Sequence, residues 1–221
     1  MTAQTKFHIV TPSFNSLAWL PSCVASVADQ VVGQPIAVHH HVQDGGSHDG
    51  TVEWLKEYAH GFVCSKSERL GYTFSYTSEA DNGMYDATNK GWGLAATDVD
   101  IVAHLNCDEQ YLPNGLGTIA GFLRSHQRTD VVLANMVIVG ENGEYVCHRR
   151  SLSPHPLTSR FACAGFTAST FHRISVTRKK RVFFDTRWRN FGDKVWYSQL
   201  HSAGCIFAVC NEFVATFAVT G

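Results

Sequence analysis

The 221-residue sequence predicts one α/β domain built on a parallel sheet with helices on its faces, and three observations carry that expectation. Short apolar runs are each followed by a polar loop and then by helical spacing. Polar clusters rich in carboxylates stand where the runs end. No Pro/Gly/Ser linker and no internal repeat divides the chain.

Phe7 to Thr11 (FHIVT) is a buried-strand run that Pro12, Ser13 and Asn15 break. Leu17, Leu20, Val24, Val27 and Val31 follow at helical spacing, with Gly33 placed to end the helix. Ile36 to Val42 (IAVHHHV) is again strand-like and runs into the turn-dense DGGSHDGT, after which Val52 to Tyr58 reads as a short helix. DATNKGWGLAA reads as a helix, and Asp100 to Leu105 (DIVAHL) as a further buried strand. Pro113 to His126 reads as a helix and Val131 to Val139 as a strand. Glu141, Asn142 and Gly143 then make a hairpin turn into EYVCHRR. The second half is less regular: 12 of the 26 aromatic residues fall in its last 61 positions, and FVATFAVTG at the end is strand-like.

Composition excludes several classes. Charged residues are 17% of the chain, too few for a disordered segment. The formal charge of −1 argues against nucleic acid as the main partner. No window approaches the ~20 apolar residues of a membrane span, and MTAQTKFHIVTPSFN lacks the apolar segment of a leader. Seven cysteines without C-x-x-C spacing read as reduced cytosolic thiols. The near-zero charge is unevenly spread, however. Asp44 to Glu109 holds 12 acidic and 4 basic residues, whereas Arg173 to Arg189 holds 7 basic residues and one acid.

In an open α/β sheet, ligands bind beyond the carboxyl ends of the strands. Three polar clusters fall at such ends: Thr11 to Asn15, Gln43 to Asp49 and Asn106 to Glu109. A fourth, Ser78 to Gly83, precedes a helix. Taken singly, Asp44 or Asp49 reads as a turn or helix cap; together the clusters outline a site. Asn106-Cys107-Asp108-Glu109 is the most informative. Carboxylates directly after a buried strand either emerge into water or bind something cationic. A hard cation accepts one or two protein carboxylates and takes its remaining ligands from phosphates and water, which suits Asp108 with a nucleotide diphosphate.

Other motifs are set aside. Gly91-Trp92-Gly93-Leu94-Ala95-Ala96 matches G-x-G-x-x-A, but no strand precedes it. His39, His40 and His41 alternate faces of a strand, so the three cannot share a metal. H-E-x-x-H, G-x-S-x-G and G-x-x-x-x-G-K-[ST] are missing from the sequence.

In order, VTPSFN, QDGGSHDGT, SEADNGMYDATNKG, HLNCDEQYLPNG and FGDKVWYSQL resemble segments of the family 2 glycosyltransferases, inverting enzymes of the GT-A fold, in a bacterial surface-polysaccharide branch. The fourteen-residue SEADNGMYDATNKG is the most specific; the others gain weight from their order. The resemblance implies a single nucleotide-binding, Rossmann-like domain over 1–221, with a mostly parallel central sheet and an irregular acceptor part. About 1–112 would be the donor half and 113–221 the acceptor half.

The implied activity moves a sugar from a nucleotide-diphosphate sugar to a hydroxyl of a polysaccharide or lipid-linked oligosaccharide. A divalent metal, Mn²⁺ or Mg²⁺, would assist. Asp193 would be the catalytic base and Asp108 the metal ligand, with Asn106 in the first position of the D-x-D-like motif. Thr11, Pro12, Ser13, Asn15, Asp44 and Gly45 would line the nucleoside pocket, with Asp81, Asn89 and Lys90 nearby. Lys90 reads equally as a solvated helix lysine, and Phe191-Gly192-Asp193 also reads as a helix start with Asp193 as its cap.

Two departures from the family pattern stand out: Asn106 is neutral, and Thr167-Ala168 replaces a His-Gln pair on the acceptor side. They motivate a second reading, a nucleotide-sugar- or carbohydrate-binding module without turnover. A nucleotidyltransferase would want a Gly-rich basic loop after the first strand, which VTPSFNSL lacks. The enzyme would be cytoplasmic, with Arg173 to Arg189 as a footing on an anionic membrane surface or a lipid diphosphate.

Overall fold

The computed structural model describes residues 4–64, 71–154 and 165–219. Along the chain run β1 (Thr5–Ser13), α1 (Leu20–Ala28), β2 (Ile36–Asp44), α2 (Thr51–Cys64), β3 (Tyr72–Ser78), α3 (Met84–Gly93), β4 (Ile101–His104) and β5 (Glu109–Tyr111). There follow α4 (Gly115–Ser125), β6 (Val131–Gly140), β7 (Tyr145–Arg149), β8 (Thr170–Arg173), α5 (Ile174–Arg178), α6 (Gly192–Ser202) and β9 (Phe207–Val219).

One sheet runs through the molecule in the order β3-β2-β1-β4-β8-β6-β9-β5, with β7 paired to β6. β3, β2, β1 and β4 are mutually parallel, as the strand–loop–helix alternation requires. Their order creates a switch point. The chain moves outward from β1 to β2 to β3, then returns to place β4 on the other side of β1. Beyond β4 the sheet departs from the mostly parallel expectation: β8, β5 and β7 pair antiparallel, and β6–β9 alone is parallel. The second half is therefore more ordered than its sequence implied, because β6 and the thirteen-residue β9 pair along nearly their whole lengths.

Alternation along β1 sends its side chains to two cores. Phe7 and Ile9 pack with Val27 of α1, Leu116 and Ile119 of α4 and Phe171 of β8. Val10 faces the opposite way, toward Trp92 of α3 and Trp196 and Leu200 of α6. α3 comes so close to β1 that a Cβ on Gly91 would stand 2.4 Å from Val10 Cγ1.

The histidines of β2 alternate as expected. His39 and His41 both meet Ser75 Oγ, and His39 Nδ1 lies 2.9 Å from His8 Nδ1. His40, on the other face, meets Thr11 Oγ1 and Tyr72 Oη. α2 extends past its expected end to Cys64. Cys23, Cys107, Cys147, Cys205 and Cys210 are free thiols; Cys163 and the Cys64 side chain lie outside the described residues. No helix among the described residues is long and apolar enough to cross a membrane.

Candidate active site

A cleft of about 690 Å³ opens at the carboxyl ends of β1, β2 and β4, over the switch point. The loop after β1 supplies Pro12, Ser13, Phe14, Asn15 and Ser16, and Trp19 stands at the start of α1. Gly45 follows β2; Asp81, Gly83, Met84 and Ala87 come from the entry to α3; Asn106, Cys107 and Asp108 follow β4. Of the residues singled out in the sequence, Pro12, Ser13, Asn15, Gly45, Asp81, Asn106 and Asp108 thus meet in one place.

Side-chain hydrogen bonds hold these loops together. Asn15 adopts φ +49°; its backbone N–H donates to Ser47 Oγ at 2.7 Å, and its Oδ1 accepts from the His48 N–H at 2.8 Å. Asp49 accepts from the Leu17 N–H and from the backbone and hydroxyl of Thr51, which joins the loop after β1 to the start of α2. On the far side, the Asn106 N–H donates to Glu109 Oε2, which folds the turn between β4 and β5. Burial pushes the Glu109 carboxyl up to about 8.

Four of the residues named from the sequence do not line this cleft. Thr11 is fully buried, its hydroxyl spent on His40 Nε2 and the Cys23 thiol, so it faces the core. Asp44 is fully buried too; its carboxylate accepts from Gly46 and Ser47 N–H and from the Ser47 and Ser78 hydroxyls. It shapes the loop that presents Gly45 without lining the cleft. Asn89 bonds the backbone of Phe184 in both directions. Lys90 is neither a cleft residue nor a free lysine: it pairs with Glu79 and Asp86 and donates to the Ala80 carbonyl.

The helix start at α6 also differs. Phe191, at φ +62°, holds the N-cap position with no side-chain cap bond, and Asp193 lies in the first turn. Asp193 is half-buried, and its backbone N–H donates to Tyr85 Oη. The basic stretch is mostly exposed, and four of its seven side chains have partners within the fold. Arg173 donates to the Thr129 and Gln127 carbonyls, Arg178 to Ala95, and Lys180 to Ala203 and Gly204. Arg187 forks onto Asp185. Lys179, Arg181 and Arg189 keep side chains without a partner among the described residues.

Phe14, Gly83 and Cys107 lie inside the polar clusters marked in the sequence without being named singly, whereas Ser16, Trp19, Met84 and Ala87 fall outside those clusters. Phe14 and Trp19 carried a usable signal: aromatic residues between a strand and its helix, where a core has no need of them. Phe14 is 60% exposed.

The site fits a divalent cation only in one form. Among the described residues no three His, Cys, Asp or Glu side chains come together to hold one. Asp108 is the carboxylate at this point, and burial raises its pKa; a cation beside it would reverse that. Asn106 Oδ1 is buried without a hydrogen-bond partner. One carboxylate and one orphaned amide oxygen suit a cation that draws its other ligands from phosphates and water.

Comparison with known proteins agrees with the fold. The family model "Glycosyl transferase family 2" matches residues 8–212. A PGL/p-HBAD biosynthesis glycosyltransferase of Mycobacterium bovis is 30% identical over 141 residues, 63% of this chain and 50% of that protein. An uncharacterized glycosyltransferase of Mycobacterium tuberculosis is 35% identical over 100 residues, 45% of this chain and 33% of that one. The chain spans about half the length, or less, of these curated relatives. Among solved structures, Staphylococcus aureus TarS 1-349 in complex with UDP-GlcNAc superposes with a TM-score of 0.74 at 17% identity, over 98% of this chain and 59% of that one. The mannosyltransferase PcManGT of Pyrobaculum calidifontis, in complex with GDP-Man and Mn²⁺, gives 0.68 at 14%, over 99% and 58%. The fold is that of the GT-A glycosyltransferases.

Proposed function

Because this chain belongs to glycosyl transferase family 2, we propose that it transfers a sugar from a nucleotide-diphosphate sugar to a hydroxyl of a polysaccharide or lipid-linked oligosaccharide, with inversion at the anomeric carbon. The observation that carries this reading is the cleft itself, which gathers the loops after β1, β2 and β4 around Asp108 at the switch point of a nucleotide-binding sheet.

The residues divide the work. Phe14 and Trp19 offer apolar faces to the base. Gly45 leaves room there, since a Cβ at that position would stand 2.8 Å from Asp81 Oδ2. Asn106 and Asp108 would hold a divalent cation, which neutralises charge on a leaving diphosphate. Asp193 would accept the proton of the attacking hydroxyl, a task its partial burial and its place beside the α3 wall suit. On this reading about 1–112 make the donor half and 113–221 the acceptor half.

The test is a thermal-shift panel of UDP, GDP and dTDP with Mn²⁺, followed by donor sugars on the nucleotide that binds. A ligand at roughly 100 times its Kd adds about 2.7 kcal/mol of stability. A panel in which no nucleotide moves the Tm overturns the donor site. Nucleotide binding without transfer or hydrolysis of any donor would favour the non-catalytic module that the neutral Asn106 brings to mind.

A further inference from the structure

A second recess of about 400 Å³ adjoins the cleft, lined by Asp81, Asn82, Gly83, Met84, Tyr85, Trp188 and Arg189. Asp81, Gly83 and Met84 line both spaces, so the two share a wall. Its volume lies in the range of about 300–1,000 Å³ usual for small-molecule sites. It also borders Asp193, whose N–H bonds the Tyr85 hydroxyl.

The chemistry of this recess differs from that of the cleft. Trp188 is 47% exposed, Met84 41%, and Phe191 at the start of α6 72%. Such apolar surface, gathered beside a polar site, calls for a ligand. The Trp188 backbone N–H donates to the Asp185 carbonyl at 3.2 Å, and Arg187 holds the Asp185 carboxylate down to about 2. Arg187 is thereby already committed. Arg189 is not: it is exposed and has no side-chain partner among the described residues. Asp81, the one carboxylate among the residues lining the recess, is turned to other tasks: its Oδ1 accepts the Gly83 N–H and its Oδ2 lies against Gly45 on the cleft side.

We propose that Trp188 and Arg189 form a binding subsite for an anionic sugar, a glycoside whose ring lies on the indole and whose carboxylate or phosphate meets the guanidinium. An aromatic face suits the apolar C–H face of a pyranose. An uncommitted guanidinium presents a planar fork that matches carboxylate and phosphate. The site rests on the transferase reading, in which this ligand is the acceptor and Asp193 stands beside its hydroxyl.

The experiment follows the indole N–H resonance of Trp188 in the ¹⁵N-labelled chain, assigned by its loss in Trp188→Phe. The cleft is first filled with whichever of UDP, GDP and dTDP gives the largest thermal shift. Three probes are titrated: methyl β-glucoside, methyl β-glucuronide and methyl 6-phospho-β-glucoside. The proposal expects at least one anionic probe to shift the resonance at concentrations about tenfold or more below the neutral one, and the stronger arm names the group. Arg189→Gln should erase that preference while leaving the nucleotide thermal shift unchanged. Three results overturn it: no probe moves Trp188, the neutral glycoside binds as tightly as both anions, or Arg189→Gln keeps the preference. A nucleotide thermal shift alongside failed probes removes only this subsite. Probe binding without any nucleotide effect, in samples run without nucleotide, removes only the donor site.

Discussion

The backbone N–H of Asp193 donates to Tyr85 Oη at 3.3 Å, a bond that spans 108 residues of sequence. It ties the first turn of α6 to α3, the helix whose first turn walls the cleft through Met84 and Ala87. The Tyr85 ring is itself stacked on Phe184 at 4.8 Å, which holds the accepting hydroxyl in place.

Gly192 is the tight point of that junction. A Cβ there would stand 2.3 Å from Tyr85 Cε2. Gly192→Ala should therefore move the start of α6 despite the better helix propensity of alanine. A stability loss of about 1–3 kcal/mol is expected in urea, with turnover reduced and nucleotide affinity unchanged. An alanine variant of wild-type stability and rate would show that α6 is not set by this contact.

Asp193→Asn keeps shape and removes the carboxylate proposed as the base. It should abolish transfer while the nucleotide thermal shift persists. Full activity in this variant would take Asp193 out of the chemistry.

Two glycines of α3 should respond in opposite ways. Gly91→Ala drives a methyl into Val10, whose branched side chain has little rotamer freedom in a strand, and should cost about 1–3 kcal/mol. Gly93→Ala meets nothing within 4 Å and should be neutral or stabilise by up to about 1 kcal/mol. Equal urea midpoints for the two variants would contradict the packing of α3 on β1.

Buried histidines should make the fold acid-sensitive. Burial holds His8 and His104 down to about 4, and His40 and His172 to about 3. Each folded pKa lies below the unfolded value near 6.5, so the unfolded chain binds more protons as the pH falls. Their contribution is complete above about pH 6.5 and lost on descending toward pH 4, at up to about 1.4 kcal/mol per pH unit for each histidine. Urea midpoints at about pH 7.5 and about pH 5 measure the slope. His104→Phe, which keeps a ring among Trp92 and Phe184, should remove one histidine's share. An unchanged slope in that variant would mean His104 is not kept neutral by burial.

The parallel half was legible because its strands are apolar on both faces. IAVHHHV was the exception, read as a strand although three of its residues are histidines, and their partners Ser75, Thr11 and Tyr72 come from other strands. β3 (YTFSYTS) escaped notice because it lies at the sheet edge with a half-buried, half-polar pattern. The cleft loops could be placed from where strands end, but side-chain direction could not. Thr11 and Asp44 sit among the right residues and point into the protein, since the hydroxyls and ring nitrogens that claim them lie up to 34 positions away. The hydrogen bonds of Arg173, Arg178 and Lys180 were hidden for the same reason: the carbonyls they meet belong to distant loops.

The place of β9 has a consequence for how the site comes into being. The turn bearing Asn106 and Asp108 runs into β5, and β5 finds its strand partner in β9, where Glu109 stands opposite Phe217. On the ribosome the chain would present Asp108 more than a hundred residues before that partner emerges. Until then the carboxyl of Glu109 has no sheet to be buried in. The β4–β5 edge of the cleft is thus encoded early and closed late, and a nascent chain gains the finished turn from Asn106 to Glu109 only once β9 has slotted between β6 and β5.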